Sequence, residues 1–429
     1  MESERFARVV RTTNLHLAME AADALRKVEE GGDKPPAMAY FYELCRQASS
    51  GVRPLPEGTR RIGTMCVQVP DELIYAAGGV PHRLCCGANA YDQAGAEFMP
   101  AKSCSVVRAT TGMLHVRQSD LAESLAAVII PTTCDLKRKA GETIEDMGFA
   151  VHYLEMPPAK DSAAARFYWQ ESVKGLALAL ERITGRRITR KGLTTAIARV
   201  GAASAQFRRL CEVRKATVPV ISGRDAFLVT NSYFFADIDS WTRALTALND
   251  GLEARRAQKV AACNRQAPRL IFTGSPPIFP NLKVPVLVEQ AGGIIVADEV
   301  CSASRLLYDT VSFDEAGLYD MIPAIADRYL KACTCPCLAP NRDRERKLLE
   351  MAAAYRADGV IYQAFSGCLP YEMEQKRISA ALAAKGIPML YVETDYSPED
   401  LGQLSTRVEA FIESVKVRSR RQKQPVHAV

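Results

Sequence analysis

Over residues 1–60 the chain reads as helical pieces, interrupted at Gly31-Gly32, at Pro35-Pro36 and by the turn-rich stretch from Gly51 to Gly58. From about residue 61 the rhythm changes. Short apolar runs at 64–69, 83–87, 126–131 and 151–155 alternate with helix-like stretches such as Asp71 to Ala77. Residues 162–184 and 190–215 return to helical spacing, with Phe167, Trp169, Val173, Leu176, Leu178 and Leu180 as apolar positions, and 234–260 continues it. A second series begins at Arg269 to Gly274, with strands expected at 293–297, 359–363 and 388–394. Helices are expected at 281–291, 314–331, 342–357 and 371–385, and a last helix from Pro398 to about Val415 closes the series.

Strands separated by helices imply parallel sheets covered by helices. The pattern predicts an α/β chain with two parallel-sheet domains of Rossmann or flavodoxin type, at 61–160 and 266–415. A helical connector at 161–265 joins them, the helical segment 1–60 precedes them, and a basic disordered tail is expected at 416–429. The two α/β halves read as architectural duplicates without a short sequence repeat.

In such sheets ligands sit beyond the carboxyl ends of the strands. The expected strands of the second half end in Gly274-Ser275, Asp298-Glu299-Val300-Cys301, Ser366-Gly367-Cys368 and Glu393-Thr394-Asp395. Ser275, Glu299, Glu393 and Asp395 are therefore candidates to donate protons or orient a substrate, with capping and turn roles standing equally beside that reading.

Of the 429 residues, 48% are hydrophobic and 24% charged, an ordinary globular composition. The net charge of +6 is small, and much of the excess lies in Lys416, Arg418, Arg420, Arg421 and Lys423, which favours a solvated tail over a nucleic-acid or membrane patch. No apolar run approaches the roughly 20 residues that span a bilayer. Met1 to Leu15 is charged and lacks an apolar export core. The thirteen cysteines are accordingly read as thiols of a cytoplasmic, reducing compartment, not a disulfide framework.

Neither a ferredoxin-type cysteine run nor paired zinc knuckles occur, and the one local cluster is Cys333-Thr334-Cys335-Pro336-Cys337. Cys45, Cys211 and Cys263 read as small packing residues, as does the pair Cys85-Cys86. Cys66, Cys104, Cys134, Cys301 and Cys368 fall at strand ends or in the loops that follow. Soft sulfur ligands on separate loops suit an iron-sulfur cluster assembled by the fold. Catalysis by a nucleophilic cysteine and a structural zinc site are the weaker readings, since none of the five histidines pairs visibly with a cysteine.

The first half carries Cys66-Val-Gln-Val-Pro70-Asp-Glu72-Leu, Ser103-Cys104-Ser-Val-Val-Arg108 and Pro131-Thr-Thr-Cys134-Asp135 with Lys137. The second carries Asp298-Glu-Val-Cys301, Cys335-Pro-Cys337-Leu-Ala-Pro-Asn341-Arg342, Ser366-Gly-Cys368, Glu393-Thr-Asp-Tyr396 and Gly402 to Val408. Through these stretches, over about 61–415, the chain resembles the D-component family of 2-hydroxyacyl-CoA dehydratases, which includes benzoyl-CoA reductase subunits and double-cubane-cluster proteins. The resemblance implies that Cys104, Cys134 and Cys368 bind one cubane. The additional Cys66, Cys301 and Cys335 or Cys337 look like the double-cubane subgroup, with an [8Fe-9S] cluster, and a single [4Fe-4S] cluster is the alternative. Cys333 departs from that pattern as a ligand substitute or a bystander.

By the same resemblance the chain would be an oxygen-sensitive, low-potential reductase, supplied with electrons by a separate ATP-hydrolysing iron-sulfur activator and acting on a small molecule or acyl-CoA. No phosphate-binding loop with its lysine is present in the sequence, which leaves the nucleotide chemistry to that partner. A homodimer is expected, with a heterodimer of paralogous subunits as the alternative. Two further readings stay open: a [4Fe-4S] subunit of a dehydratase or benzoyl-CoA reductase, and a non-catalytic electron carrier.

Overall fold

The computed structural model describes residues 2–31, 33–51, 54–117 and 124–423. Two helices open the chain, α1 (Glu2–Glu29) and α2 (Met38–Ser50). The first half holds β1 (Arg60–Thr64), α3 (Asp71–Ala76), β2 (Gly79–Arg83), α4 (Asn89–Gly95), α5 (Ser105–Val116), β3 (Leu125–Pro131), α6 (Asp135–Asp146) and β4 (Val151–Leu154). Four helices follow: α7 (Ala163–Thr184), α8 (Arg190–Arg214), α9 (Gly223–Ser232) and α10 (Ile238–Ala257). The second half runs β5 (Arg269–Gly274), α11 (Lys283–Gln290), β6 (Ile294–Glu299), α12 (Ser304–Leu307), α13 (Leu318–Lys331), α14 (Arg342–Ala354), β7 (Gly359–Phe365), α15 (Leu369–Ala383), β8 (Met389–Thr394) and α16 (Leu401–Lys423).

Both sheets are four-stranded and parallel, in the orders β2-β1-β3-β4 and β6-β5-β7-β8. In each, the first strand lies beside the third, with the second on its other flank, so the halves repeat one topology. The strand order reverses between β1 and β3 and again between β5 and β7, the two places where a crevice opens at the carboxyl ends.

The connector helices take their limits from local chemistry. Ser162 caps α7 by accepting the Ala165 N–H at 3.1 Å, and Gly185 ends it with φ of +72°, a conformation that glycine adopts without strain. Trp169, Val173, Leu176 and Leu180 are fully buried on one face of α7, and the Trp169 indole donates to the Ala326 carbonyl at 2.7 Å. On the other side Trp241 of α10 is fully buried, with its N–H donated to Val229 and Ser232.

Three expectations move. The strands expected at 64–69 and 83–87 lie one step earlier, at Arg60–Thr64 and Gly79–Arg83. The apolar residues in those windows, Met65, Cys66, Val67 and Cys85, belong to the following loops and line an interior cavity, which is why the loops are apolar. The last helix continues through Lys423, past the expected end near Val415. Leu404, Val408, Ile412 and Val415 form its buried stripe, and Ser419 Oγ still donates to Asp358 Oδ1 at 3.0 Å, so residues 416–423 extend a helix that is docked on the sheet. Residues 424–429 of the expected tail lie outside the described residues. Among the described residues no helix is long and apolar enough to cross a membrane.

Candidate functional site

The loops at the carboxyl ends of the two sheets meet each other, and glycines set how closely. A Cβ on Gly87 would lie 1.7 Å from the Ile278 carbonyl oxygen, and one on Gly367 would lie 1.8 Å from that of Lys102. These contacts press the loop after β2 onto the loop after β5, and the loop after β7 onto the turn before α5. Between them lies a cavity of about 480 Å³.

Nine of the thirteen cysteines line it: Cys66, Cys85, Cys104, Cys134, Cys301, Cys333, Cys335, Cys337 and Cys368. All thirteen are free thiols. Every cysteine singled out as a candidate ligand in the sequence therefore reaches one chamber, although they come from six separated stretches of chain.

Cys104, Cys134 and Cys368 share a construction. Each occupies the N-cap position of a helix: α5, α6 and α15 respectively. The backbone N–H groups of the first turns, Val106 and Val107 for Cys104, Lys137 for Cys134 and Tyr371 for Cys368, act to lower the thiol pKa. Such a position at the positive end of a helix favours a thiolate. The Cys368 thiol donates to Cys104, lowering the Cys104 pKa against the opposing effect of burial and raising its own. Cys134 is raised by burial, with Lys137 pulling the other way.

The remaining thiols form the opposite wall. Cys335 is lowered because Cys337 donates to it, with Arg305 and Lys137 assisting against burial, while Cys337 is raised by Cys333 and Cys335. Cys301 is pushed up to about 12 by burial. Cys333 is buried, and its sulfur accepts the Gln68 amide N–H at 2.7 Å. Arg83, Lys137, Arg305 and Arg328 bring positive charge to the same chamber. Burial opposes the charge on Lys137, but the sulfurs of Cys66, Cys134, Cys85 and Cys335 outweigh it and raise its pKa. Among the described residues no three histidine, cysteine or acidic side chains gather tightly enough for a single metal ion. The thiols are spread over walls, a spacing suited to a multi-atom body, and the soft donors, helix-end N–H groups and cationic surroundings match a sulfide cluster.

The acid–base candidates divide. Ser275 lines the cavity, but its Oγ accepts the Phe365 N–H at 3.0 Å and so also braces β7. Glu299 is fully buried behind the wall, where Arg305 Nη2 meets it at 2.7 Å. Although burial favours the neutral acid, Arg305 and Arg344 hold its carboxyl down to about 2. Glu393 is exposed on β8 and does not reach the chamber. Asp395 accepts the Ser397 N–H at 2.8 Å, a turn-capping role.

Cys45 and Cys211 are buried away from the cavity, Cys263 is half-buried, and burial raises all three thiols. Cys85, read from sequence as packing, stands on the cavity wall, whereas Cys86 turns into the neighbouring core. Its place two residues after Arg83 at the end of β2 was the available signal. Arg305 and Tyr371, joined by a 2.7 Å hydrogen bond on the same wall, had no sequence signal.

Comparison with known proteins gives the relationship directly. Residues 66–415 match the family model described as 2-hydroxyglutaryl-CoA dehydratase, D-component. The Escherichia coli (strain K12) protein YjiM, named as a dehydratase subunit, is 31% identical over 389 residues, 89% of this chain and 98% of its own length. The beta subunit of (R)-2-hydroxyglutaryl-CoA dehydratase from Acidaminococcus fermentans is 25% identical over 84% of this chain and 93% of its own. A subunit of the benzoyl-CoA reductase from Thauera aromatica is 25% identical over 93% of this chain and 100% of its own. The chain is thus a member of the 2-hydroxyglutaryl-CoA dehydratase D-component family.

Proposed function

We propose that the chain is a low-potential iron-sulfur oxidoreductase that holds a double-cubane [8Fe-9S] cluster. Cys104, Cys134 and Cys368 are assigned to one cubane, and Cys66, Cys301 and one of Cys335 or Cys337 to the other. The observation that carries this reading is the meeting of these cysteines in one chamber, more thiols than the three or four of a single cubane. When bound, the cluster supplies a strongly reducing electron. Around it the positive ends of α5, α6 and α15 favour thiolates, Arg83, Lys137, Arg305 and Arg328 offset negative charge, and Met65, Phe234, Ile278 and Phe365 give the chamber an apolar lining. Ser275 is the cavity-lining hydroxyl placed to orient a substrate. Electron supply is assigned to a separate ATP-hydrolysing activator and the assembly to a homodimer, with a small-molecule or acyl-CoA substrate.

A second reading, a [4Fe-4S] subunit of a dehydratase or benzoyl-CoA reductase heterodimer, is favoured by the names of the relatives, several of which are subunits of such enzymes. Anaerobic reconstitution tests the shared part. Wild-type protein is expected to take up iron and sulfide and to give a paramagnetic signal on reduction, and serine at Cys104, Cys134 or Cys368 is expected to impair both. A wild-type protein that binds no iron, or triple serine substitution without effect, would sink the proposal.

A further inference from the structure

Four cations line the cluster chamber: Arg83, Lys137, Arg305 and Arg328. Three of them have a carboxylate of the chain as counter-charge. Arg83 Nη2 meets Asp71 at 2.9 Å, and Arg305 Nη2 meets Glu299 at 2.7 Å. Arg328 donates to the Leu306 and Asp309 carbonyls at 2.8 and 2.9 Å and has the buried Glu72 beside it.

Lys137 differs from them. Its ammonium donates to Thr133 Oγ1 at 3.1 Å and forms no ion pair with a carboxylate among the described residues. Asp135, which also reaches the chamber from α6, has a 92% exposed side chain and pairs with Arg138. Against the opposing effect of burial, the groups that favour the charge on Lys137 are led by sulfurs, those of Cys66, Cys134, Cys85 and Cys335. Cys134 belongs to one set of assigned ligands, and Cys66 and Cys335 to the other, so the ammonium serves both. Lys137 also stands in the first turn of α6. That is the positive end of the helix, where a cation is unfavourable unless negative charge faces it.

A positive charge without a carboxylate partner, facing sulfur ligands from two sides, stabilises whichever state of the cluster carries one more electron. Building on the cluster reading above, we propose that the Lys137 ammonium raises the reduction potential of the bound cluster, acting through its charge and not as an iron ligand. Arg83, Arg305 and Arg328, each with its own counter-charge, contribute less.

The test is a redox titration of cluster-loaded protein without oxygen, followed by its paramagnetic signal, with iron counted on the same samples. Lys137→Met is expected to hold as much iron as wild type and to be harder to reduce by about tenfold or more, a midpoint more negative by about 59 mV or more for one electron. Lys137→Arg, which restores the charge, is expected to return most of that shift. Arg138→Gln removes the same charge one residue along α6, where the side chain is exposed, and is expected to leave the midpoint unchanged. An unchanged midpoint in Lys137→Met, or an equal shift in Lys137→Arg or Arg138→Gln, would overturn the proposal. Should Lys137→Met hold no iron, Lys137→Gln is titrated in its place, and loss of iron from both would show a role in assembly and overturn it too. Iron in the wild type reports separately on the cluster reading, which fails if none is bound.

Discussion

Glu299 shows how a buried charge holds part of the cavity wall in place. It lies between Arg305, which lines the chamber, and Arg344, which also meets Glu374 at 3.2 Å. The Thr334 hydroxyl donates to the same carboxylate and so fixes the segment that carries Cys333 and Cys335. Glu299→Gln leaves two buried guanidiniums short of countercharge and is expected to destabilise the fold by about 3–5 kcal/mol in denaturant melts. Because the native carboxyl is held down to about 2, below its ordinary value of 4.5, its contribution is complete above the ordinary value and is lost as pH falls toward 2. The difference between wild type and Glu299→Gln should therefore shrink in acid. A difference that stays constant over that range would contradict the ion-pair assignment. In the cluster-free protein, Cys335, lowered by the Cys337 thiol, should react with iodoacetamide at neutral pH, whereas Cys301, pushed up to about 12, should be slow. Peptide mapping that finds the two equally labelled would remove the proposed thiolate.

At the scale of elements, the site depends on loops from different sheets touching through glycine. Gly367, the residue before Cys368, has φ of +79° and stands where a Cβ would meet the carbonyl of Lys102, two residues before Cys104. Gly367→Ala is expected to force these loops apart and to reduce iron uptake. Gly251→Ala, inside α10 with open space around it, should leave iron uptake unchanged and add about 0.5–1 kcal/mol of stability. Iron assays on the two variants decide the matter, since retention of full iron by Gly367→Ala would show that the close approach does not set the thiol positions. Strands were legible for β3, β5, β6, β7 and β8, each of which carries a short continuous apolar run, and for β4, where His152 interrupts it. The apolar pattern misled at β1 and β2, where the cavity-lining residues after the strand are more apolar than the strand itself.

For the whole molecule, two sheets of the same strand order present their carboxyl ends to one chamber, and the reversal of order in each opens toward it. Cysteine placement at strand ends was readable from sequence because that rule is local to each strand. What no single strand could reveal was how the two halves face each other. Cys85, Arg305 and Tyr371 acquire their positions only through that meeting, as does the burial of Glu299, which removes it from the acid–base set. The central claim is that thiols from both halves serve one double cubane, and Cys301, contributed by the loop after β6, is the sharpest probe of it. The decisive measurement is iron and acid-labile sulfide per chain on protein purified without oxygen, for wild type and for Cys301→Ala. The account predicts about eight irons, falling by roughly half in the variant, and about four irons unchanged by the substitution would contradict it.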